Sequence, residues 1–189
     1  INNHVNNRVY VEWALEAAGT AYGLPWTELR YFNVAGADPL GRAGQLGRTA
    51  THLIKIAAGM AARGQQGLQI FGTDLPTPDG TCVRDYVHVS DLADAHLHAL
   101  DRLLRGGEPA AFNVGYGQGA SVREVVEAVE RVSGRCLRAA PAPRRPGDPA
   151  RLVADPANLL RETNWRPRHA DLDRIIADAL AWEHRHIAD

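Results

Sequence analysis

Near the start of the chain apolar positions recur every four residues, at Val9, Trp13, Ala17 and Ala21, which stacks them on one helical face, and Gly23 follows where a left-handed C-terminal cap belongs. The period then drops to two in "WTELRYF", the signature of a strand. Residues 51–62, "THLIKIAAGMAA", return to helical spacing, and "LQIFG" reads as a strand entering a long Pro/Gly-punctuated loop, "TDLPTPDGTCVRDY". Ser90 is placed to N-cap a helix with the core stripe Leu92, Ala95, Ala99 and Leu103, and "AAFNVG" reads as a buried strand. "SVRE" at 121–124 is a capping box, in which Ser121 serves the amide of Glu124 and Glu124 reaches back, ahead of an apolar face of Val122, Val125, Val126, Val129 and Val132. So many valines make a weak intrinsic helix, so packing must hold it. Asp155 and Pro156 open a short helix and Asp171 opens the last one, whose inward positions are Leu172, Ile175, Ile176, Ala179 and Leu180. Helices alternating with short strands predict an α/β chain.

The 189 residues are enough for one domain, residues 1–189, burying roughly 70% of the surface of its unfolded chain. Hydrophobic residues make up 45%, charged ones 23%, and the formal net charge is -1, which argues against disorder, a nucleic-acid footprint and a polybasic membrane surface. With no apolar run near the roughly 20 residues that span a bilayer and no signal-peptide pattern, the expectation is a cytoplasmic protein whose partner is a small molecule or another subunit. Cys82 and Cys136 read as free thiols, a disulfide being the alternative. His96 and His98, like His184 and His186, are two apart on helical segments and point to different faces, so no metal site is expected.

A dinucleotide-binding turn needs a glycine-rich link from strand to helix with an acid about 20 residues on. "GYGQG" at 115–119 lacks the third glycine at the required spacing and reads as a tight strand-to-helix turn, with anion acceptance at the following helix N-terminus the other reading. Two constellations carry more chemistry. In "PDGTCVRDYVHV", Arg84 stands between strand and loop and either clamps a phosphate bidentately or pairs with its neighbour Asp85 at the surface. In "APRRPGDPA", Arg144, Arg145 and Asp148 sit in a Pro/Gly-rich segment that offers cations for phosphate and a carboxylate for sugar hydroxyls. Alone each is a charged loop; together they imply a diphosphate ligand.

The runs "LRYFNVAGADPLG", "LQIFGTDLPTPDGTCVRDYVHVSDLADAHLHAL", "FNVGYGQGASVREVV", "APRRPGDPARLVAD" and "NWRPRHADLDRIIADALAWEHRH" resemble the C-terminal half of UDP-glucose 4-epimerases, of the extended short-chain dehydrogenase/reductase family, over nearly the whole chain. The resemblance implies a truncated Rossmann-like α/β fold, mainly the C-terminal substrate-binding part with a residual parallel sheet. It implies that Asn33, His52, Leu53, Phe71, Arg84, Arg145 and Asp148 line a UDP-sugar pocket, with Phe71 near the uracil or its ribose, the two arginines on the diphosphate, and Asp148 and Asn33 on hydroxyls or phosphate oxygens. Tyr31 would lie near a nicotinamide, and Leu152 stands where an aromatic ring is expected near the nucleotide.

In that family the first helix carries Tyr-x-x-x-Lys, the tyrosine as acid/base and the lysine lowering its pKa and holding the cofactor ribose. Alignment on "VEWAL" and "RYFN" puts His4 at the tyrosine position and Arg8 at the lysine position, with Asn3, Val5 and Asn7 replacing their usual neighbours. His4 can still exchange protons near neutral pH, but the fork of Arg8 does not copy a lysine point charge. The glycine-rich turn and ribose-binding acid belong to the half that the 189 residues do not resemble, so the expectation is that this chain alone binds no NAD, although the family uses it, and that its own epimerase activity is negligible. The resemblance also implies that apolar faces of the first helix seek a cover, from a homodimer or an N-terminal partner subunit, unless the helix caps its own core. Two functions follow: a nucleotide-sugar-binding, epimerase-like protein, or a repurposed cofactor-independent acid/base enzyme of elimination or cyclisation (through His4 or the Asp85/Tyr86 pair) or a non-catalytic binder.

Overall fold

The computed structural model describes residues 7–47 and 50–186, with the side chains of residues 7–9 outside that description. Helix α1 (Asn7–Tyr22) leads into β1 (Thr27–Tyr31) and β2 (Asn33–Ala35), followed by α2 (Leu53–Ala62) and β3 (Gln69–Phe71). The long loop ends at β4 (Val83–Arg84) and β5 (Tyr86–His88), and α3 (Val89–Leu104) returns to β6 (Ala110–Val114). Then come β7 (Ala120–Ser121), α4 (Val122–Ser133), β8 (Ala140–Ala142), β9 (Arg151–Leu152), α5 (Ala157–Glu162) and α6 (Leu172–Arg185).

Strand pairing is mostly parallel and joins residues far apart in sequence. Thr27 to Tyr31 of β1 lie beside Ala110 to Val114 of β6, Asn33 to Ala35 of β2 beside Tyr86 to His88 of β5, and Gln69 to Phe71 of β3 beside Ala140 to Ala142 of β8. The parallel sheet expected from the sequence is thus divided into separate pairs of short strands, with Phe32 alone between β1 and β2 and Asp85 alone between β4 and β5. A fourth, mixed sheet has β4 at its centre, antiparallel to β7 and parallel to β9. It carries Arg84 between two other segments.

The apolar faces read from the sequence meet in two clusters. The larger joins Ile54, Ala57 and Ala58 of α2, Val125, Val126 and Val129 of α4, and Ile175, Ile176 and Leu180 of α6. The smaller holds Val87, Leu92, Ala95, Phe112, Val114, Leu159 and Trp165. Each fully buried Ile, Leu or Val contributes about 1.5 to 3 kcal/mol from removing its surface from water, which offsets the weak propensity of α4. Tyr116 packs against both clusters.

Helix starts are set locally. Both arms of the capping box at Ser121 and Glu124 form, and Asp171 accepts the amide of Arg174 at 2.8 Å. Ser90 is not the N-cap of α3: His88 Nδ1 accepts the Ser90 amide at 3.0 Å, so the helix begins at Val89 and Ser90 lies inside its first turn. Gly23 takes the left-handed conformation after α1 (φ 63°) and donates its amide to Gly19 O. At Gly19 a Cβ would stand 3.0 Å from the Trp26 indole nitrogen, so glycine lets helix and strand close up. Arg30 of β1 ties the helix to the strand through Glu12 at 2.9 Å and is itself held by its strand neighbour Glu28 at 2.6 Å. Trp13, Ala17 and Ala21 do share a face, and it is an uncovered one; Trp13 is 55% exposed and makes an edge-on contact with Tyr10.

Candidate functional site

Five segments converge on one cleft of about 560 Å³. Asn33 comes from the start of β2, His52 and Leu53 from the start of α2, Phe71 from the end of β3, Arg84 from β4, and Arg145 and Asp148 from the Pro/Gly loop between β8 and β9. The structure therefore brings together all seven residues assigned to a sugar-nucleotide pocket in the sequence. Thr51, Ile56, Met60, Gly67, Leu68, Gln69, Cys82, Tyr86 and Val122 complete the wall.

The two cleft arginines are held differently. Arg84 is mostly buried; its Nη1 donates to the carbonyl of Val83 at 2.8 Å, and its Nη2 pairs with Asp148 Oδ1. Asp148 Oδ2 also receives the Cys82 thiol at 3.6 Å, and burial pushes that thiol up. Arg145 lies instead over the Phe71 ring, its guanidinium carbon 4.1 Å from the centroid. Arg144 is not a lining residue: it bridges to the carboxylate of Asp74 at 2.6 Å and fastens the loop against the segment after β3. Two cations, an aromatic face, a carboxamide and a carboxylate along a concave wall can hold an extended ligand with a dianionic centre and hydroxyl groups.

Asp85 is not paired with Arg84. Its fully buried carboxylate accepts the amides of Tyr116 at 3.1 Å, Gly117 at 3.0 Å and Ala154 at 3.2 Å. Burial raises its pKa, against the pull of those amides. The "GYGQG" turn therefore binds an anion, but an internal one: at Gly115 a Cβ would come within 2.7 Å of Asp85 Oδ2, and Gly117 needs φ 71°. The same connection fixes Asn33, whose amide and side chain both donate to Asp85 O, at 3.2 and 3.4 Å. Tyr86 does line the cleft, with its phenol pushed well up by burial.

Outside the cleft lining there is a buried polar cluster that the sequence did not announce. Asp91 accepts Tyr116 Oη at 2.7 Å, the His169 amide at 2.9 Å and His169 Nδ1 at 2.8 Å, and the Trp165 indole donates to Asp91 O at 3.0 Å. Burial pushes the Asp91 carboxyl up, yet these hydrogen bonds together hold it below the usual carboxylate range. His88 stacks on His169 with ring centroids 4.5 Å apart. Its Nε2 is 3.3 Å from Asp178 Oδ2 but too poorly aligned for a hydrogen bond, and burial, then the neighbouring His169, lowers its pKa. No His, Cys, Asp or Glu group among the described residues is arranged to hold a metal ion.

The remaining assignments fall elsewhere. Tyr31 ends β1 half-exposed, near the His96 ring, and does not line the cleft. Leu152, on β9, is 44% exposed and also off the lining. His4 lies outside the described residues, as does the side chain of Arg8. Cys82 and Cys136 are free thiols. Cys82, Met60 and Gln69 were missed in the sequence because nothing in their spacing marks a cleft wall.

Residues 6–115 match the NAD dependent epimerase/dehydratase family. A UDP-glucose 4-epimerase of Azospirillum brasilense is 54% identical over 183 residues, 97% of this chain and 53% of that protein. Among solved structures, UDP-glucose 4-epimerase of Brucella ovis in complex with NAD superposes with a TM-score of 0.88 at 42% identity, over 93% of this chain and 54% of that one. The Bifidobacterium longum enzyme in complex with NAD+ and UDP gives 0.86 at 34% identity, over 95% and 53%. The chain spans about half the length of the curated relatives it matches. With its parallel strand pairs flanked by helices, it has the α/β Rossmann-like fold of those epimerase structures, and it belongs to the NAD dependent epimerase/dehydratase family.

Proposed function

We propose that residues 1–189 form one domain that binds a nucleotide sugar, the substrate side of a UDP-hexose 4-epimerase. Arg84 and Arg145 neutralise the diphosphate, Phe71 packs on the base or ribose, Asn33 and Asp148 orient hydroxyls or phosphate oxygens, and His52 and Leu53 close the wall at the start of α2. The observation that carries this reading is the convergence of two guanidiniums from separate loops on one cleft with an aromatic face. The solved relatives hold NAD, and one holds UDP, which supports the same reading.

Epimerisation at C4 needs a hydride to leave the sugar and return to its other face, which no side chain does without a nicotinamide. In this reading the chain alone does not bind NAD and is not competent for that step. The step would need a nicotinamide-binding unit, with Tyr31 facing the nicotinamide and His4 and Arg8 as proton donor and fixed cation. Uncovered Tyr10, Val11 and Trp13 on α1 and Leu97, Leu100 and Leu104 on α3 favour a homodimer or an N-terminal partner subunit. Elimination or cyclisation chemistry through Asp85 is less favoured, because its carboxylate is already committed to three backbone amides.

Calorimetric titration of the purified chain with UDP, UDP-glucose and NAD tests the proposal. The expected result is binding of UDP and UDP-glucose without NAD; absence of both nucleotide signals would sink it.

A further inference from the structure

We infer that Arg145 and Phe71 form an exchangeable pair that makes phosphate and base recognition interdependent. In the free protein the Arg145 guanidinium occupies a face of the Phe71 ring, and a nucleoside diphosphate draws it onto the phosphates while the base takes the vacated face. The inference rests on the nucleotide-sugar reading of the cleft and adds to it the residues that select a ligand carrying both groups.

The two arginines give the argument its asymmetry. Arg84 is preset by a carbonyl and a carboxylate, so it meets a phosphate where it stands. Among the described residues Arg145 has no side-chain hydrogen bond or ion pair, and its resting place is set by the ring 4.1 Å below it. Its backbone is anchored on both sides: Arg144 is bridged to Asp74, and the Asp148 amide donates to Arg145 O at 3.3 Å across Pro146 and Gly147. Only the exposed side chain is left to swing.

An exposed cation–π contact is weaker than a charge-assisted fork on a phosphate, so phosphate wins Arg145 whenever it is within reach. A flat heteroaromatic base then stacks on a ring that has lost its cation. A base without phosphate must evict Arg145 with nothing to receive it, and pyrophosphate without a base leaves the ring bare. Each part of the ligand thus raises the affinity for the other, a coupling carried by one side chain.

The test is calorimetric or NMR titration of UDP, uridine and inorganic pyrophosphate into the wild-type chain, Arg145→Gln, Phe71→Leu and the double variant. Arg145→Gln is expected to weaken UDP by about tenfold or more, through loss of the phosphate contact, and to tighten uridine by about threefold, because the ring is permanently free. In the Phe71→Leu background the same substitution is expected to leave uridine unchanged. If the wild type binds UDP but uridine does not tighten in Arg145→Gln, or tightens equally without Phe71, the exchange is overturned while the nucleotide reading stands. If the wild type binds no UDP, both fall. Arg145 is an exposed loop residue, so the fold is not at stake in the deciding variant.

Discussion

A charged side chain does what its partners leave it free to do, and two neighbours here separate on that ground. Arg84 keeps donors for a ligand after meeting Val83 O and Asp148, whereas Asp85, its neighbour, has none of its carboxylate left for the cleft. Arg84→Ala should therefore weaken UDP by about 10- to 100-fold, the worth of one charge-assisted contact, in the same titration; an unchanged affinity would remove the arginine from the site. Asp91 and His88 make stability depend on pH. His88 is lowered by burial and then by His169, with Asp178 and Asp91 also facing it, so the unfolded chain takes up a proton first and stability falls as pH drops below about 6.5. Asp91 is held below its ordinary value, so its contribution is present above about 3.9 and is lost as pH falls further. Denaturant midpoints between pH 7 and 3 should show both declines in the wild type, and Asp91→Asn should flatten the second. An identical slope below pH 4 in the variant would refute the assignment.

At the scale of elements, α4 and α6 could be read from the sequence because their signals are local. A Ser-x-x-Glu box, an Asp cap and an apolar stripe decide where such helices start and which side turns inward. Ser121 also donates to Asp79 Oδ2, so its hydroxyl fixes the long loop as well as the helix. Ser121→Ala should cost about 1 to 2 kcal/mol in urea unfolding, at the upper end for a cap; a loss of a few tenths would mean that the loop contact contributes nothing. The two-residue strands β4, β7 and β9 had no such signal, being defined only by each other across 30 to 70 residues of chain. Ser90 misled because the buried imidazole of His88, two residues earlier, caps the helix by accepting the Ser90 amide, which leaves Ser90 inside the first turn with no cap to provide. The seven cleft residues were legible through a resemblance of motifs, whereas the His88, Asp91 and His169 cluster depends on a contact between α3 and a loop nearly 80 residues away.

For the whole molecule, the face of α1 is an apolar surface that nothing among the described residues covers. Tyr10, Val11 and Trp13 each stand half-exposed or more, beside small residues at Ala14, Ala17 and Ala21 that let another backbone approach. Sedimentation of the purified chain should show self-association that Trp13→Glu abolishes without changing its circular dichroism; a monomeric wild type would refute a homodimer through this face. No helix among the described residues is long and apolar enough to cross a membrane.

Tyr116 makes the two apolar clusters inseparable. Its ring belongs to the edge of both, its amide holds Asp85, and its hydroxyl joins the His88 amide to Asp91. Opening either cluster therefore exposes the same phenol and strips the same amides. Neither part should fray as a unit of its own: amide protons in α4 and in β6 are expected to exchange with solvent through the same rare global opening, and a nucleotide bound as proposed between Arg84 and Arg145 should slow that exchange on both sides of the molecule at once.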